Sequence, residues 1–348
     1  MQLRNLLITR GKMPAQRPCS TSSPALLTTE RAGLRAVFMF SGQGSHYYQM
    51  GRPLYEQHGV FRRHMQYLDE LAAQLIGESV VAALYDERRR KSDVFARTLL
   101  THPAIFMVET ALARTLMAGG VIPVATLGVS LGSFAAASLA GCITVEEALA
   151  AVIHHARVLE ACCRKGAMVA VLAEPDSLGD LLDGDTEIAA FNYDSHCVLA
   201  TTCERLELIE AVLRRRNVTH QRLPVSFAFH SRWIEEAREP FQAVAGRLVL
   251  GNASMPVFCC AAAAPLRQLP RGYFWTVTRE PIQFKKTMSC ARGHGTYDYV
   301  DVGPSGTLAA FVRNCLAEAD SGSRCYRTLS PYGGDLQSVA ALTEAAAG

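Results

Sequence analysis

One five-residue segment constrains the fold of this chain more than any other: residues 128–132, with the sequence GVSLG. A short apolar run, 124–127, comes directly before it, and a helix-forming run of small residues, 133–140, comes directly after it. Glycines at both ends of such a segment permit a sharp strand-to-helix turn that lifts the serine hydroxyl out of the backbone. The pattern alone is weak evidence, but a strand before it and a helix after it are its confirming context. The segment therefore predicts an α/β fold with Ser130 as a candidate nucleophile; the alternative is a purely structural glycine turn.

Short apolar runs alternate with helical patterns along most of the chain. Residues 36–40 predict a buried strand that ends in the turn 41–45, with the sequence SGQGS. Residues 103–117 predict a helix, with Thr101 as its N-cap and Pro103 in its first turn. We expect a large, α/β-hydrolase-like domain built on a parallel sheet.

Residues 165–225 have the pattern of a separate unit. Their predicted elements follow the order β-α-β-β-α-β, which is the ferredoxin-like plan. The helix predicted over 204–216 ends in three arginines, where cations complement the helix dipole. We therefore expect a small ferredoxin-like subdomain inserted into the large domain. The predicted division is an N-terminal extension at 1–35, the large domain at 36–164 and 226–330, the small subdomain at 165–225 and a C-terminal tail at 331–348.

Residues 1–35 differ in composition from the rest. Four cations, Arg4, Arg10, Lys12 and Arg17, and a serine-rich run come before the first acidic residue, Glu30. An arginine- and serine-rich, acid-poor start resembles an organelle transit peptide. The alternative, which we favour, is a disordered extension or a start codon placed too early, since Met13 is available inside it.

Charge and composition exclude several classes of function. Lys+Arg 35 against Asp+Glu 32 gives a net charge of +3, which is too even for a nucleic-acid-binding face. No apolar run reaches the roughly 20 residues of a membrane helix. The 11 cysteines lack C-x-x-C spacing and favour reduced thiols over disulfides or a metal site. We expect a cytoplasmic protein with no metal, no nucleic acid and no membrane among its partners.

A serine hydroxyl becomes a good nucleophile when a base accepts its proton. Of the ten histidines, His230 is distinct because it follows an apolar run, 224–229, and precedes a helical pattern. Sites in open α/β folds lie at the ends of strands. A packed or exposed histidine remains the alternative here, since spacing does not reveal proximity to Ser130. The turns 42–45 and 303–306 also follow predicted strands; each is either a backbone site for an anion or an ordinary turn.

Six ordered segments resemble one family: the malonyl-coenzyme A:acyl-carrier-protein transacylases of fatty acid synthesis and the acyltransferase domains of polyketide synthases. The segments are 38–45 (FMFSGQGS), 102–104 (HPA), 128–132 (GVSLG), 227–231 (FAFHS), 281–284 (PIQF) and 301–304 (DVGP). The resemblance extends from about residue 37 to about residue 316. Together the six segments are highly specific.

The resemblance implies that Ser130 accepts the acyl group as an ester and that His230 is its general base. It implies an oxyanion hole made by the backbone N–H groups of Gln43 and Leu131, in a cleft between the large and small domains. The acyl group would pass from a coenzyme A or carrier-protein thioester to Ser130, and then to an acyl carrier protein. Acyl carrier protein and acyl-CoA are the implied partners, with no further cofactor. The arginines that end the helix 204–216 would steer an acidic carrier, or are simply solvated.

The chain departs from the family at several positions. Val129 stands where the family usually has histidine, His102 stands where it usually has glutamine, and a third departure concerns the acyl site directly. Malonyl-using relatives have an arginine that pairs with the malonyl carboxylate, on the helix that follows the strand-to-helix turn, or elbow, at residues 128–132. His155 stands at the place of this arginine here. Arg157 lies two residues later, which on a helix is about 200° away, unless a local slip of the alignment lets it serve. Glu280 replaces an asparagine that supports the histidine, and its backbone carbonyl can supply that support. The predicted substrate-binding residues are His155, Phe229, Val129, His102 and Asn192.

Three hypotheses follow from these residues. The first is a free-standing acyltransferase of polyketide or fatty acid assembly. The second is an editing hydrolase that clears stalled acyl chains from carrier proteins, because loss of the arginine favours simple or longer acyl groups and water would then replace the acceptor thiol. The third is a non-catalytic module that docks carriers, against which the intact Ser130, His230 and Gln43 argue. The acyl group stays open, because residues 227–230 (FAFH) are close to the sequence of malonyl-selecting domains.

Overall fold

The computed structural model of the protein describes residues 33–317 and 322–347, so most of the predicted N-terminal extension, residues 1–32, lies outside the described residues. The strands are β1 (Ala36–Phe40), β2 (Pro123–Gly128), β3 (Gly166–Val171), β4 (Thr186–Tyr193), β5 (His196–Thr202), β6 (His220–Arg222), β7 (Asn252–Cys259), β8 (Ala264–Gln268), β9 (Asp298–Asp301) and β10 (Arg324–Arg327). The α-helices are α1 (Arg52–Gln57), α2 (Gly59–Ile76), α3 (Val80–Leu84), α4 (Thr98–Ala118), α5 (Gly132–Leu139), α6 (Val145–Cys162), α7 (Cys203–Arg215), α8 (Arg238–Ala245), α9 (Tyr273–Arg279), α10 (Phe284–Gly293), α11 (Thr307–Ala317) and α12 (Asp335–Ala347), and 3-10 helices cover Pro175–Leu181 and Arg232–Ala237.

The larger sheet has the strand order β10-β9-β1-β2-β7-β8. Its neighbours are parallel except for β8, which runs antiparallel to β7 at the edge. Phe40 at the end of β1 is in register with Gly128 at the end of β2, and Met39 is in register with Asp301 at the end of β9. Because parallel strands end at the same edge, the segments that follow β1, β2 and β9 meet there. The predicted α/β fold class is confirmed, and this edge carries the site.

The smaller sheet has the order β4-β5-β3-β6 with every pair antiparallel. This is the predicted ferredoxin-like arrangement, with α7 and the helix Pro175–Leu181 packed on one face through buried leucine and isoleucine side chains. The first helix is a 3-10 helix, and the last strand is short and covers only His220–Arg222. The strand ends early because Pro224 has no N–H group to donate to a ladder.

Helix α4 begins earlier than predicted. It covers Thr98–Ala118 with Arg97 as N-cap, so Pro103 lies inside the helix and Thr101 is not its cap. The Glu160 carboxylate accepts a hydrogen bond from the Leu99 N–H at 2.9 Å, which satisfies one of the donors of the first turn. The Thr101 hydroxyl is used elsewhere, as described below.

Residues 331–348, predicted as a tail, contain the helix α12. Its Val339 and Leu342 side chains are buried in the main hydrophobic core, so apolar packing holds this segment against the domain. Across the described ranges, no helix combines the length and the apolar character needed to cross a bilayer.

Candidate active site

Ser130 occupies the turn between β2 and α5. Its φ of +53° lies in the left-handed region, which side chains other than glycine rarely adopt and which persists where the surrounding structure enforces it. A Cβ at Gly132 would collide with the Phe40 carbonyl group, so only glycine lets α5 start this close to β1. The glycine pattern found in the sequence is therefore a packing requirement that fixes the serine.

His230 lies directly beside this serine. The His230 Nε2 atom is 2.8 Å from Ser130 Oγ, and the His230 Nδ1 atom is 2.7 Å from the Glu280 carbonyl oxygen. A carbonyl oxygen can only accept, so Nδ1 carries the ring proton and Nε2 is left as the acceptor for the serine hydroxyl. The support from Glu280 thus comes through its backbone, as the sequence predicted. This arrangement is that of a nucleophile, a base and an orienting group.

Burial keeps the histidine uncharged. Desolvation lowers the pKa of His230 to about 4, with the hydrogen bond to Glu280 acting in the opposite direction and the Arg279 charge adding to the decrease. The ring is therefore neutral at pH 7 and is ready to accept a proton.

The turn after β1 lies against the serine. A Cβ at Gly42 would be 2.8 Å from Ser130 Cβ, so the backbone of residues 41–45, which we call the oxyanion turn after its predicted role, touches Ser130. In the described part of the chain, no protein acceptor occupies the N–H groups of Gln43 or Leu131, whereas the Gly132 N–H is bonded to the Val129 carbonyl. Two unoccupied N–H groups beside a serine, one of them at a helix N-terminus, suit a developing oxyanion.

Helix α4 holds the oxyanion turn through hydrogen bonds from two residues of that turn. The Gln43 side-chain amide donates to Thr101 Oγ1 at 2.8 Å, and the Ser41 N–H donates to Glu109 Oε1 at 2.6 Å. Glu109 was missed by sequence reasoning, although a lone acidic residue in the apolar run 104–116 was a visible signal.

Glu109 also begins a chain of hydroxyl contacts. Glu109 Oε1 is 2.7 Å from Ser41 Oγ, Ser41 Oγ is 2.9 Å from Ser45 Oγ, and Ser45 Oγ is 2.8 Å from the Gly42 carbonyl. Burial raises the pKa of Glu109 well above its ordinary value, with the hydrogen bonds from Ser41 acting in the opposite direction and the nearby Asp301 adding to the increase.

A cluster of rings adjoins the Ser130–His230 pair. His102 and His155 stack at 5.5 Å between ring centroids, and we call these two side chains with Phe134, Phe229 and Phe241 the ring cluster. The His102 and His155 side chains are each 1% exposed. Burial lowers the pKa of His155 to about 3 and holds the pKa of His102 well below its ordinary value. The cluster is therefore uncharged at neutral pH.

Arg157 lies outside the ring cluster. Its Nη2 atom donates to the Leu75 carbonyl at 2.7 Å, at the end of α2, and the residue is exposed. The alternative in which Arg157 replaces the family arginine therefore has no support in the geometry.

Two predicted substrate-binding residues also lie apart from the ring cluster. Val129 packs into a second apolar cluster with Leu127 and Phe258, because the elbow turns its side chain toward the other face of the sheet. The Asn192 amide nitrogen is 3.0 Å from His196 Nδ1, a contact within the hairpin of β4 and β5. Neither side chain belongs to the ring cluster, and their role in acyl binding stays a prediction.

Comparison with known proteins finds relatives over most of the chain. The chain is 39% identical over 298 residues to a polyketide biosynthesis acyltransferase homolog, BaeD, of Bacillus velezensis, which covers 85% of this chain and 92% of that protein. It is 37% identical over 305 residues to the homolog PksD of Bacillus subtilis, covering 87% and 94%. The acyltransferase domain of the second module of the salinomycin polyketide synthase superposes with a TM-score of 0.78 at 28% identity, covering 89% of this chain and 72% of that one. The family described as acyl transferase domain matches residues 37–339, a range that contains every residue of the site, and the chain belongs to that family.

Proposed function

We propose that the protein transfers an uncharged acyl group from a coenzyme A or carrier-protein thioester, through an ester on Ser130, to an acyl carrier protein in polyketide biosynthesis. The observation that carries the proposal is the hydrogen-bonded series Ser130–His230–Glu280 beside two unoccupied N–H groups. The names of the two Bacillus relatives, which align over more than nine-tenths of their own length, support the polyketide setting.

The first half-reaction forms the ester. As Ser130 Oγ attacks the thioester carbonyl carbon, His230 Nε2 accepts the hydroxyl proton, and the N–H groups of Gln43 and Leu131 stabilise the oxyanion. The tetrahedral intermediate collapses with cleavage of the C–S bond, and the departing thiolate takes the proton from Nε2. The second half-reaction reverses these steps: the carrier thiol gives its proton to Nε2, its sulfur attacks the ester carbon, and Ser130 leaves with that proton.

The ring cluster favours an uncharged acyl group. A carboxylate taken out of water needs a cation or several donors, and the guanidinium of Arg157 faces away from the cluster. Neutral histidines do not supply the missing charge. Malonyl is therefore a poor substrate in this proposal.

Two exposed arginines fit the acidic partner. Arg216 pairs with Asp180, and Arg232 pairs with Glu187, so these two cations are already compensated. Arg214 and Arg215 are exposed at the end of α7 and have no ion-pair partner within residues 33–317 and 322–347. They are the proposed steering charges for a carrier protein.

Intact-protein mass spectrometry tests the proposal. The protein is incubated with butyryl-CoA or malonyl-CoA, then with a carrier protein bearing a free phosphopantetheine thiol. We expect a butyryl ester that is absent in Ser130→Ala, is present in the control Ser133→Ala and passes to the carrier. Release of free butyrate faster than carrier acylation would favour the hydrolase, and absence of any ester would overturn both enzymatic readings.

A further inference from the structure

We infer that the ring cluster binds an uncharged oxygen function on the acyl chain, so that the substrates are hydroxyacyl or oxoacyl thioesters. The inference rests on the proposed function, because it concerns the acyl group carried by Ser130. The absence of the family arginine argues only for an uncharged acyl group, whereas this inference also states that the acyl chain carries an oxygen function.

The inference rests on the four ring nitrogens of His102 and His155. Within the described residues, neither nitrogen of His102 and neither nitrogen of His155 has a hydrogen-bond partner in the protein. Both side chains are 1% exposed. Buried polar groups in folded proteins are nearly always satisfied, and an unsatisfied one lowers stability. Four such atoms on two stacked side chains therefore point to a polar group that arrives with a ligand.

In the described residues, the ring contacts of these two histidines are with each other and with phenylalanines. Each histidine ring contacts phenylalanine rings: Phe229 lies 5.8 Å from His102, and Phe241 lies 5.0 Å from His155 between centroids. A cluster that served only as packing would use aromatic or aliphatic residues throughout, because they need no partners.

The location matches the chain of a Ser130 ester. Phe229, whose ring lies 5.8 Å from His102, directly precedes His230, and the charge of His230 acts on the pKa of His155. The ring cluster therefore lies close to His230, whose Nε2 is 2.8 Å from Ser130 Oγ. An acyl chain attached to Ser130 has this cluster as its neighbour.

The hydrogen-bond donors and acceptors of the two histidine rings indicate which kind of oxygen group they would bind. A neutral imidazole has one N–H donor and one acceptor nitrogen, so the two rings present two donors and two acceptors. A hydroxyl group, which donates once and accepts twice, complements such a mixed set, and a carbonyl oxygen complements its donors. An alkyl chain satisfies none of them, and a carboxylate accepts only and brings an uncompensated charge.

The test compares Ser130 acylation by thioesters of pantetheine that carry 3-hydroxybutyryl, 3-oxobutyryl, butyryl or malonyl groups. In the wild type we expect kcat/KM for the hydroxy or oxo substrate to exceed that for butyryl by about tenfold or more, as buried polar groups discriminate strongly when left unpaired. His155→Phe, or His102→Phe where the former does not fold, is expected to bring this ratio close to one. The matched control is His294→Phe, whose ring Nδ1 lies 2.9 Å from the Cys290 carbonyl oxygen at the end of α10 and whose ring contacts Phe258, a residue outside the ring cluster; this variant keeps the wild-type ratio.

Equal wild-type rates for butyryl and both oxygenated substrates would overturn the inference, as would fastest acylation by malonyl. Failure of the proposed function is seen separately, as absence of an ester with every thioester. In that event Ser130→Ala is titrated calorimetrically with 3-hydroxybutyryl- and butyryl-pantetheine. Tighter binding of the hydroxy compound that His155→Phe abolishes supports the inference, and equal affinity overturns it.

Discussion

The pH dependence of Ser130 acylation follows from the burial of His230. Only the neutral ring accepts the serine proton, and burial lowers the pKa of this ring to about 4. Activity is therefore lost as the pH falls through about 4, and it is retained above that value. At pH 5 the neutral fraction is about 0.9 for a pKa of about 4, against about 0.03 for the ordinary value of 6.5. The structure thus predicts about thirtyfold more activity at pH 5 than an unperturbed histidine would give.

The assay is the kcat/KM of acylation by butyryl-pantetheine between pH 4.5 and 8, because this parameter reports the free enzyme. Arg279→Gln removes a charge that lowers the pKa of His230, so the acidic limb moves to higher pH. Arg238→Gln is the matched control, since Arg238 and Arg279 both pair with Glu235 and only Arg279 acts on His230. Tryptophan fluorescence at each pH verifies that the protein stays folded. A wild-type limb centred near pH 6.5 would refute the reasoning.

Three further outcomes are expected. Glu109→Ala removes the acceptor that holds the oxyanion turn and lowers the kcat of acylation about a hundredfold with less effect on KM. Glu109→Gln keeps an acceptor oxygen but replaces the second oxygen with an amide NH2 group, so its kcat lies between those of the wild type and Glu109→Ala. An equal change in KM would contradict a positioning role. Gly42→Ala pushes a Cβ against Ser130 and abolishes acylation in the mass assay, while Gly179→Ala, which meets no atom within 4 Å, leaves acylation intact. His155→Phe changes how the free energy of unfolding depends on pH. The pKa of His155 is about 3 in the folded protein and lies below the unfolded value, so the wild type loses stability as the pH falls from about 6.5 toward 3. In urea unfolding, the free energy of unfolding of the variant should therefore change less with pH, by up to about 1.4 kcal/mol per pH unit. An unchanged slope would show that His155 is not shielded from protons.

The sequence was sufficient for features that depend on local patterns. The elbow at 128–132 can be recognised in the sequence because close backbone approach requires its glycines. The small sheet can be recognised because short connections separate its strands. The backbone support of His230 by Glu280 was also predictable, since any residue provides a carbonyl. These features need no knowledge of side-chain contacts across the fold.

The features that sequence reasoning missed depend on long-range packing. Thr101 has the residue type of an N-cap, but tertiary contact with Gln43 uses its hydroxyl and the helix begins before it. The partner of Glu109 is Ser41, 68 residues away, so no local pattern reveals it. The orientation of Val129 is set by the twist of the elbow, which a residue string does not encode.

Helix α4 connects the two halves of the proposed site. Its Thr101 and Glu109 hold the oxyanion turn, while His102 from the same helix stacks on His155 in the ring cluster. His155 belongs to a different helix, α6, and has no hydrogen bond to the oxyanion turn in the described residues. A group bound between the two histidines would therefore contact the same helix that holds the oxyanion turn through Thr101 and Glu109. Substitutions at His102 should for this reason be read together with those at Glu109, because both change residues of α4.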